Sequence, residues 1–246
     1  MTEAVLREVK DGLCTLTLNR PDKLNALNFE TFKALSASVD HIGANRDKIG
    51  CVLLRGEGRS FCAGNDLGDL GGVFDGADGS RFRSETVERL ASLPMPVVAE
   101  VKGHCLTGGL ELALAADIII VGESARFGDT HGKWDLVPVW GLSQRLPRRI
   151  GRAKALEMSF SARNYSGRDA AAMGLANICV PDAELEATVA TFVKDVLANS
   201  WRSSRAIKKL IDDTEGMSLK AGLAHEIHRS EGRGPETADR LAKMRK

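Results

Sequence analysis

The 246-residue sequence lacks several things that would settle its class at once. It has no charge excess: 34 basic against 33 acidic residues leave a formal net charge of +1, so neither a nucleic-acid footprint nor an anionic membrane surface is indicated. Its five cysteines, Cys14, Cys51, Cys62, Cys105 and Cys179, are odd in number, and no CxxC spacing occurs. A disulfide framework and a zinc site are therefore unsupported, no metal is expected, and the thiols read as reduced and intracellular. No apolar run approaches the roughly 18 residues a membrane span needs. The first ten residues alternate in polarity without an apolar core, so no signal peptide is expected, and the location expected is cytoplasmic. Repeats, low-complexity tracts and interdomain linkers are also missing.

What is present is a sizeable hydrophobic fraction, 43%, enough for one large core. Leu13–Leu18 alternates as a strand, Cys51–Leu54 reads as a short buried strand, and Val97–Val101, Ile118–Val121 and Asn177–Val180 read as further strands. Asn28 is placed to cap a helix over Phe29–Ile42, with Phe32, Leu35, Val39 and Ile42 at helical spacing. Helices are also predicted over Arg83–Leu93, Gly108–Ala116, Lys154–Ser161 and Gly167–Met173, the last stopped by Gly174. The glycine- and aspartate-rich Gly68–Ser80 reads as a mobile loop. After Val180 the pattern changes to successive helical segments, Asp182–Ala198, Ser200–Asp213, Ser218–Glu231 and Pro235–Arg245. The class is α/β with a helical C-terminal region; the core is assigned to residues 1–190 and the appended helices to 191–246. A basic cluster, Arg145, Arg148, Arg149, Arg152 and Lys154, reads either as a solvated face or as a contact for an anionic ligand tail such as a phosphate.

Two segments carry chemistry. Phe61-Cys62-Ala63-Gly64-Asn65-Asp66-Leu67 leaves an apolar strand, and Cys105-Leu106-Thr107-Gly108-Gly109-Leu110-Glu111-Leu112 runs into an apolar helix. Glycine admits a substrate close to the backbone, and the first turn of a helix leaves N–H groups unpaired. Two such donors can stabilise an oxyanion, and Glu111, three residues after Gly108, returns to the same helix face. Either segment alone also reads as a simple turn, with Asp66 capping the next helix in the first and Glu111 as a favourable first-turn acid in the second.

Together these segments resemble the crotonase superfamily, the enoyl-CoA hydratase/isomerase proteins. Asn19-Arg20-Pro21 with Leu24-Asn25-Ala26-Leu27 is similar to the family's N-terminal signature. The segments Phe61–Leu67 and Gly103–Leu112 are similar to its two oxyanion loops. Asp117-Ile118-Ile119, Ala125-Arg126-Phe127-Gly128, Gln144-Arg145-Leu146-Pro147, Ala170 and Met173-Gly174-Leu175-Ala176 continue the likeness. The resemblance implies a spiral of ββα units, with C-terminal helices that build a homotrimer or a dimer of trimers. It implies an acyl-CoA substrate whose thioester C=O lies between the Asn65 and Gly108 amides. No separate cofactor is implied, since coenzyme A is part of the substrate. Leu24, Asn25, Ala26 and Ala63 match segments that receive the adenine end of CoA, and Asp66, Leu67, Gly109 and Trp134 complete the expected substrate contacts.

Glu111 matches the first of the family's two catalytic glutamates, and position 131 carries His131 in place of the second. A histidine there reads either as a catalytic or substrate-contacting group or as a structural hydrogen-bond partner of Asp129 or Asp135. Asp135 stands where the family often has glycine, as a supplementary acid or as a solvated loop residue. Trp134 and Trp140 are expected to shape an acyl pocket or pack in the core, and His104 to pack against its strand. Hydration or dehydration of a 2-enoyl-CoA is the leading reaction. Isomerisation, thioester hydrolysis, decarboxylation and non-catalytic acyl-CoA binding are the alternatives.

Overall fold

The computed structural model describes residues 3–69 and 76–244. Strands β1 (Val5–Lys10) and β2 (Leu13–Leu18) form a hairpin turned by Asp11 and Gly12, both at positive φ. Helix α1 (Phe29–Ala44) follows, and the Asn28 side chain accepts its Thr31 N–H as the sequence predicts. Then come β3 (Cys51–Gly56), α2 (Ala77–Ala91), β4 (Val97–Val101), β5 (His104–Leu106), α3 (Gly108–Ala113), β6 (Ile118–Gly122) and β7 (Arg126–Gly128). Helices α4 (Leu142–Ile150) and α5 (Arg152–Ser161), strand β8 (Tyr165–Ser166), α6 (Gly167–Ala172) and β9 (Ile178–Val180) complete the core. Four helices end the chain: α7 (Leu185–Ala198), α8 (Trp201–Thr214), α9 (Leu219–Arg229) and α10 (Thr237–Met244).

A six-stranded sheet runs β1-β2-β3-β4-β6-β9, antiparallel only at the β1–β2 hairpin. A smaller sheet runs β5-β7-β8. Isolated parallel bridges, Cys62 to Cys105 and Leu27 to Asn65, extend that smaller sheet toward the Cys62–Asn65 segment. Both faces of the large sheet are covered, so its inner strands read as continuous apolar runs. Val52, Leu54, Val97, Ala99 and Ile119 join the main core with Phe32, Phe61 and Phe127. Cys51, Leu53, Val98 and Ile120 face the other way and pack on Leu185, Val189 and Val193 of α7. Full burial of each such aliphatic side chain contributes roughly 1.5–3 kcal/mol. Helix α7 spans the 190/191 division, with Leu185 and Val189 before it and Val193 after it buried on the same sheet face.

Helix α2 begins at Ala77, before the expected Arg83, because Arg83, Thr86, Val87 and Leu90 bury one face. Of the loop expected over Gly68–Ser80, residues 70–75 lie outside the described residues, Leu67–Asp69 is a single 3-10 turn, and Ala77–Ser80 is helical. Helix α4 is absent from the sequence reading; Leu142 and Leu146, four apart, bury its inner side despite Pro147. The basic cluster is largely consumed internally. Arg145 bonds Glu88 and the Trp140 carbonyl, Arg148 pairs with Glu215 at 2.7 Å, Arg149 binds Asn177 and Leu175, and Lys154 pairs with Glu157 at 2.6 Å.

Four of the five thiols are buried, and burial pushes Cys14 up to about 11 and Cys51 and Cys62 up to about 12. The C-terminal helices are docked more lightly. The Trp201 ring lies over Gly12 and Gly50, where an added Cβ would come within 2.5 and 2.3 Å of it. Lys208 of α8 pairs with Asp117 at 2.8 Å. No described helix is long and apolar enough to cross a membrane.

Candidate active site

The first loop is fixed by backbone pairing on both sides. Leu27 donates to the Gly64 carbonyl at 2.8 Å and accepts from the Asp66 amide at 2.9 Å. A parallel bridge of this kind spends the groups of residues 64 and 66 and turns the N–H of the residue between them the other way. Cys62 exchanges hydrogen bonds with His104 and Leu106. The Asn65 amide donates to no other described residue, and neither does that of Gly108. The second loop is turned by Thr107, whose φ of 52° and ψ of −111° are unusual for a β-branched residue. Its N–H donates to the Gly128 carbonyl at 2.8 Å, and its hydroxyl bonds the Thr130 hydroxyl.

The glycines of the second loop have separate steric duties. A Cβ on Gly109 would lie 2.4 Å from the Cys62 carbonyl oxygen, so Gly109 lets the two loops touch. A Cβ on Gly108 would lie 2.4 Å from Cζ3 of Trp140. Gly64, at φ 109°, brings its own Cβ position to 3.6 Å from the Gly108 nitrogen. The two free amides therefore border one space. It is a cavity of about 310 Å³ lined by Asn65, Thr107, Gly108, Glu111, His131 and Trp140, with Ser80 and Arg83 from α2 and Asp135, Leu136, Val137 and Val139 from the following loop.

Glu111 is 1% exposed. Its Oε1 accepts the Trp140 amide at 2.8 Å, just before the N-cap of α4, and the Leu142 amide at 3.2 Å, at the first residue of α4. Burial raises its carboxyl above the usual range, and those two bonds offset only part of the effect. Its Oε2 faces Nε2 of His131 at 3.7 Å. On the other side of the imidazole, Nδ1 lies 2.6 Å from Oδ1 of Asp129. Of the two aspartates the sequence offered as a structural partner, His131 bonds Asp129, and its other ring nitrogen faces Glu111.

The remaining expected contacts fall at varied distances from this cavity. Asn25 is 1% exposed and its side chain bonds Arg20, Glu57 and Ser60, holding the N-terminal turn. The N–H groups of Leu24, Asn25, Ala26 and Ala63 are all used within the chain, and the Leu24 and Ala26 carbonyls accept from the Ala63 amide and the Arg20 guanidinium. Partial burial pushes the Asp66 carboxyl up, but the Arg20 guanidinium at 2.8 Å and the Gly68 amide outweigh it and hold it below the ordinary range. Leu67 is 51% and Trp134 55% exposed, and neither lines the cavity. Trp140 does, stacked edge-on against Phe32 at 4.8 Å. Asp135 takes a left-handed backbone, φ 52°, which accounts for glycine being suited to that position. His104 bonds the Ser60 hydroxyl at 3.0 Å, a packing role. Arg83, Ser80 and the Thr107–Thr130 pair escaped the sequence reading; burial of an arginine inside a helix has no local signal.

Fold and site define an α/β protein with paired amides and a buried carboxylate on one cavity, an arrangement suited to stabilising an oxyanion. Comparison with known proteins narrows the class. The family profile described as enoyl-CoA hydratase/isomerase matches residues 8–233. The 1,2-epoxyphenylacetyl-CoA isomerase of Escherichia coli is 34% identical over 244 residues, covering 96% of this chain and 93% of that protein. The short-chain-enoyl-CoA hydratase of Clostridium acetobutylicum is 31% identical over 225 residues, covering 90% and 86%. The crystal structure of an enoyl-CoA hydratase from Bacillus anthracis superposes with a TM-score of 0.89 at 30% identity, covering 98% of this chain and 95% of that one. A putative enoyl-CoA hydratase from Thermobifida fusca, solved in complex with CoA, superposes with a TM-score of 0.84 at 26% identity, covering 99% and 95%. The chain belongs to the enoyl-CoA hydratase/isomerase family, and its fold is crotonase-like with a helical C-terminal region.

Proposed function

We propose that the protein is an acyl-CoA-processing lyase or isomerase, and that its leading reaction is hydration of a 2-enoyl-CoA or the reverse dehydration. The observation that carries the reading is that Glu111 and His131 face one another at 3.7 Å on the cavity bordered by the Asn65 and Gly108 amides. The thioester oxygen is held by those two N–H groups, which stabilise the enolate as it forms. His131 accepts a proton from water as the oxygen adds to the β-carbon. Glu111, whose proton affinity is raised by burial, delivers a proton to the α-carbon. Transfer of the proton from the imidazolium back to the carboxylate restores both groups. Coenzyme A enters as part of the substrate, and no further cofactor has a step in this scheme.

Isomerisation uses the same enolate with one group moving the proton, and the matched family's description as enoyl-CoA hydratase/isomerase keeps it as the second reading. Following the enoyl absorbance of crotonyl-, long-chain and aryl 2-enoyl-CoAs and of a 3-enoyl-CoA separates the two, since hydration converts the first group to 3-hydroxyacyl-CoA with loss of absorbance and only isomerisation makes it appear from the last. No change with any of them would sink the hydratase reading. Release of free CoA thiol would point to hydrolysis, and tight binding without turnover to a non-catalytic binder. A homotrimer or dimer of trimers in the cytoplasm is part of the proposal. Supporting self-association are Ile207, Ile211, Leu219, Leu223 and Ile227 of α8 and α9, all more than half exposed. Sedimentation analysis tests it.

A further inference from the structure

The imidazole of His131 is held from behind. Asp129, itself 2% exposed, places Oδ1 2.6 Å from Nδ1 and accepts the His131 backbone N–H with the same oxygen at 3.1 Å. Burial pushes the Asp129 carboxyl up, but the bonds from the His131 ring, Ser159 of α5 and the His131 amide outweigh it and hold it below the ordinary range. An ionised carboxylate can only accept, so Nδ1 must carry the proton. A neutral imidazole has a single N–H, which leaves the lone pair on Nε2. That nitrogen is the one facing Glu111.

The strip that carries Asp129 and His131 is tied to the oxyanion loop at three points. Gly128 accepts the Thr107 N–H, the Thr130 N–H donates to the Thr107 hydroxyl at 3.2 Å, and the two threonine hydroxyls bond each other. Thr107 immediately precedes Gly108. The base and the oxyanion donor are therefore held in one hydrogen-bonded frame.

We propose that Asp129 is a positioning residue that fixes His131 with its proton on Nδ1 and Nε2 as the proton acceptor, so that an Asp129–His131 pair serves in place of a second catalytic carboxylate. The proposal rests on the enolate-forming reading above. It predicts no contact between Asp129 and the substrate. Its action is on the tautomer and angle of the ring, as second partners of histidine act elsewhere.

Nitrogen-15 spectra of the imidazoles read the tautomer in the intact protein, with five histidines to assign. His131 should show a protonated Nδ1 and an unprotonated Nε2 in its neutral form, and Asp129→Asn should abolish that preference. In steady-state kinetics Asp129→Asn should lower kcat by about 100-fold or more with KM within about threefold, because ground-state binding is untouched. In a His131→Ala background the same change should cost no more than about twofold, since there is no ring left to orient. An equal loss in both backgrounds, or a protonated Nε2 in the wild-type protein, would overturn the proposal. The tautomer is measured without any variant, so a poorly folding Asp129→Asn does not shield it. Were the wild type inert on every acyl-CoA, the enzymatic reading would fall, and the tautomer would still decide the role of Asp129.

Discussion

Gly109→Ala probes the contact between the two loops that border the proposed oxyanion site. The added Cβ would sit 2.4 Å from the Cys62 carbonyl oxygen, 2.9 Å from its Cβ and 3.0 Å from its carbonyl carbon. Heavy atoms rest at about 3.5 Å, so the loops must part by about 1 Å. Neither side yields easily: the Cys62 carbonyl accepts the Leu106 amide, and Gly109 is in the first turn of α3. Overpacking of this kind costs about 1–3 kcal/mol of stability. The larger consequence is for chemistry. Moving the Gly108 amide by that distance relative to Asn65 amounts to losing one oxyanion donor, about 3–4 kcal/mol of barrier, or a fall in kcat of about 100- to 1,000-fold. Turnover of crotonyl-CoA gives the rate, calorimetry with a saturated acyl-CoA gives binding, and thermal unfolding gives the stability. Gly43→Ala is the control, because nothing lies within 4 Å of its Cβ position on α1; it should add about 0.5–1 kcal/mol and leave the kinetics alone. A folded Gly109→Ala protein with wild-type kcat would refute the reasoning.

Glu111→Gln should lower kcat by at least about 100-fold while acyl-CoA still binds in calorimetry; full activity would remove Glu111 from the chemistry. The same variant should have a higher Tm. Burial raises the Glu111 carboxyl, so ionising it in the folded state costs stability that is absent in acid and grows as pH rises past the unfolded carboxylate's value; the advantage of Gln should widen from acid to neutral pH. Trp140→Ala removes the ring that rests on Gly108, and should cost about 3–5 kcal/mol of stability. It should also shift the ratio of kcat/KM toward longer enoyl chains by about tenfold, with an unchanged chain-length profile counting against Trp140 as the wall of the acyl pocket. Asn25→Ala strands the Arg20 amide and the Glu57 and Ser60 carbonyls, and should cost about 3 kcal/mol or more in urea unfolding, with little change in kcat of the folded fraction.

What the sequence could announce depended on how local the cause was. Leu13–Leu18 was readable because its apolar pattern carries the strand period, Val97–Val101 because it is a short, nearly continuous β-branched apolar run, and Asn28 announced α1 because a cap acts within one turn. Helix α4 was not, because the groups that satisfy its first amides belong to Glu111, some thirty positions earlier by the residue numbers. Gly76, Asp78 and Gly79 spoke for a loop, yet the buried face of α2 overrode them. Strands of two or three residues such as β5, β7 and β8 exist only through their partners and have no period to show. In the site, Asn65, Gly108, Glu111 and His131 were found through the family likeness and do border one cavity. Trp134 was expected among the substrate contacts but lies outside that cavity, and Trp140, six residues on, lines it because the chain between them turns at Asp135.

The carboxylate of Glu111 is also the cap of α4. The Leu142 amide that opens that helix and the Trp140 amide just before its N-cap are the groups that pull the raised carboxyl back toward the ordinary range. The strength of the acid is thus tied to the order of a helix end. Loosening α4 anywhere, at Arg145 where it grips the Trp140 carbonyl or at Leu146 where it enters the core, would release those amides and make Glu111 hold its proton more tightly. The proton affinity of Glu111 can therefore be tuned from Arg145 and Leu146, which do not line the cavity.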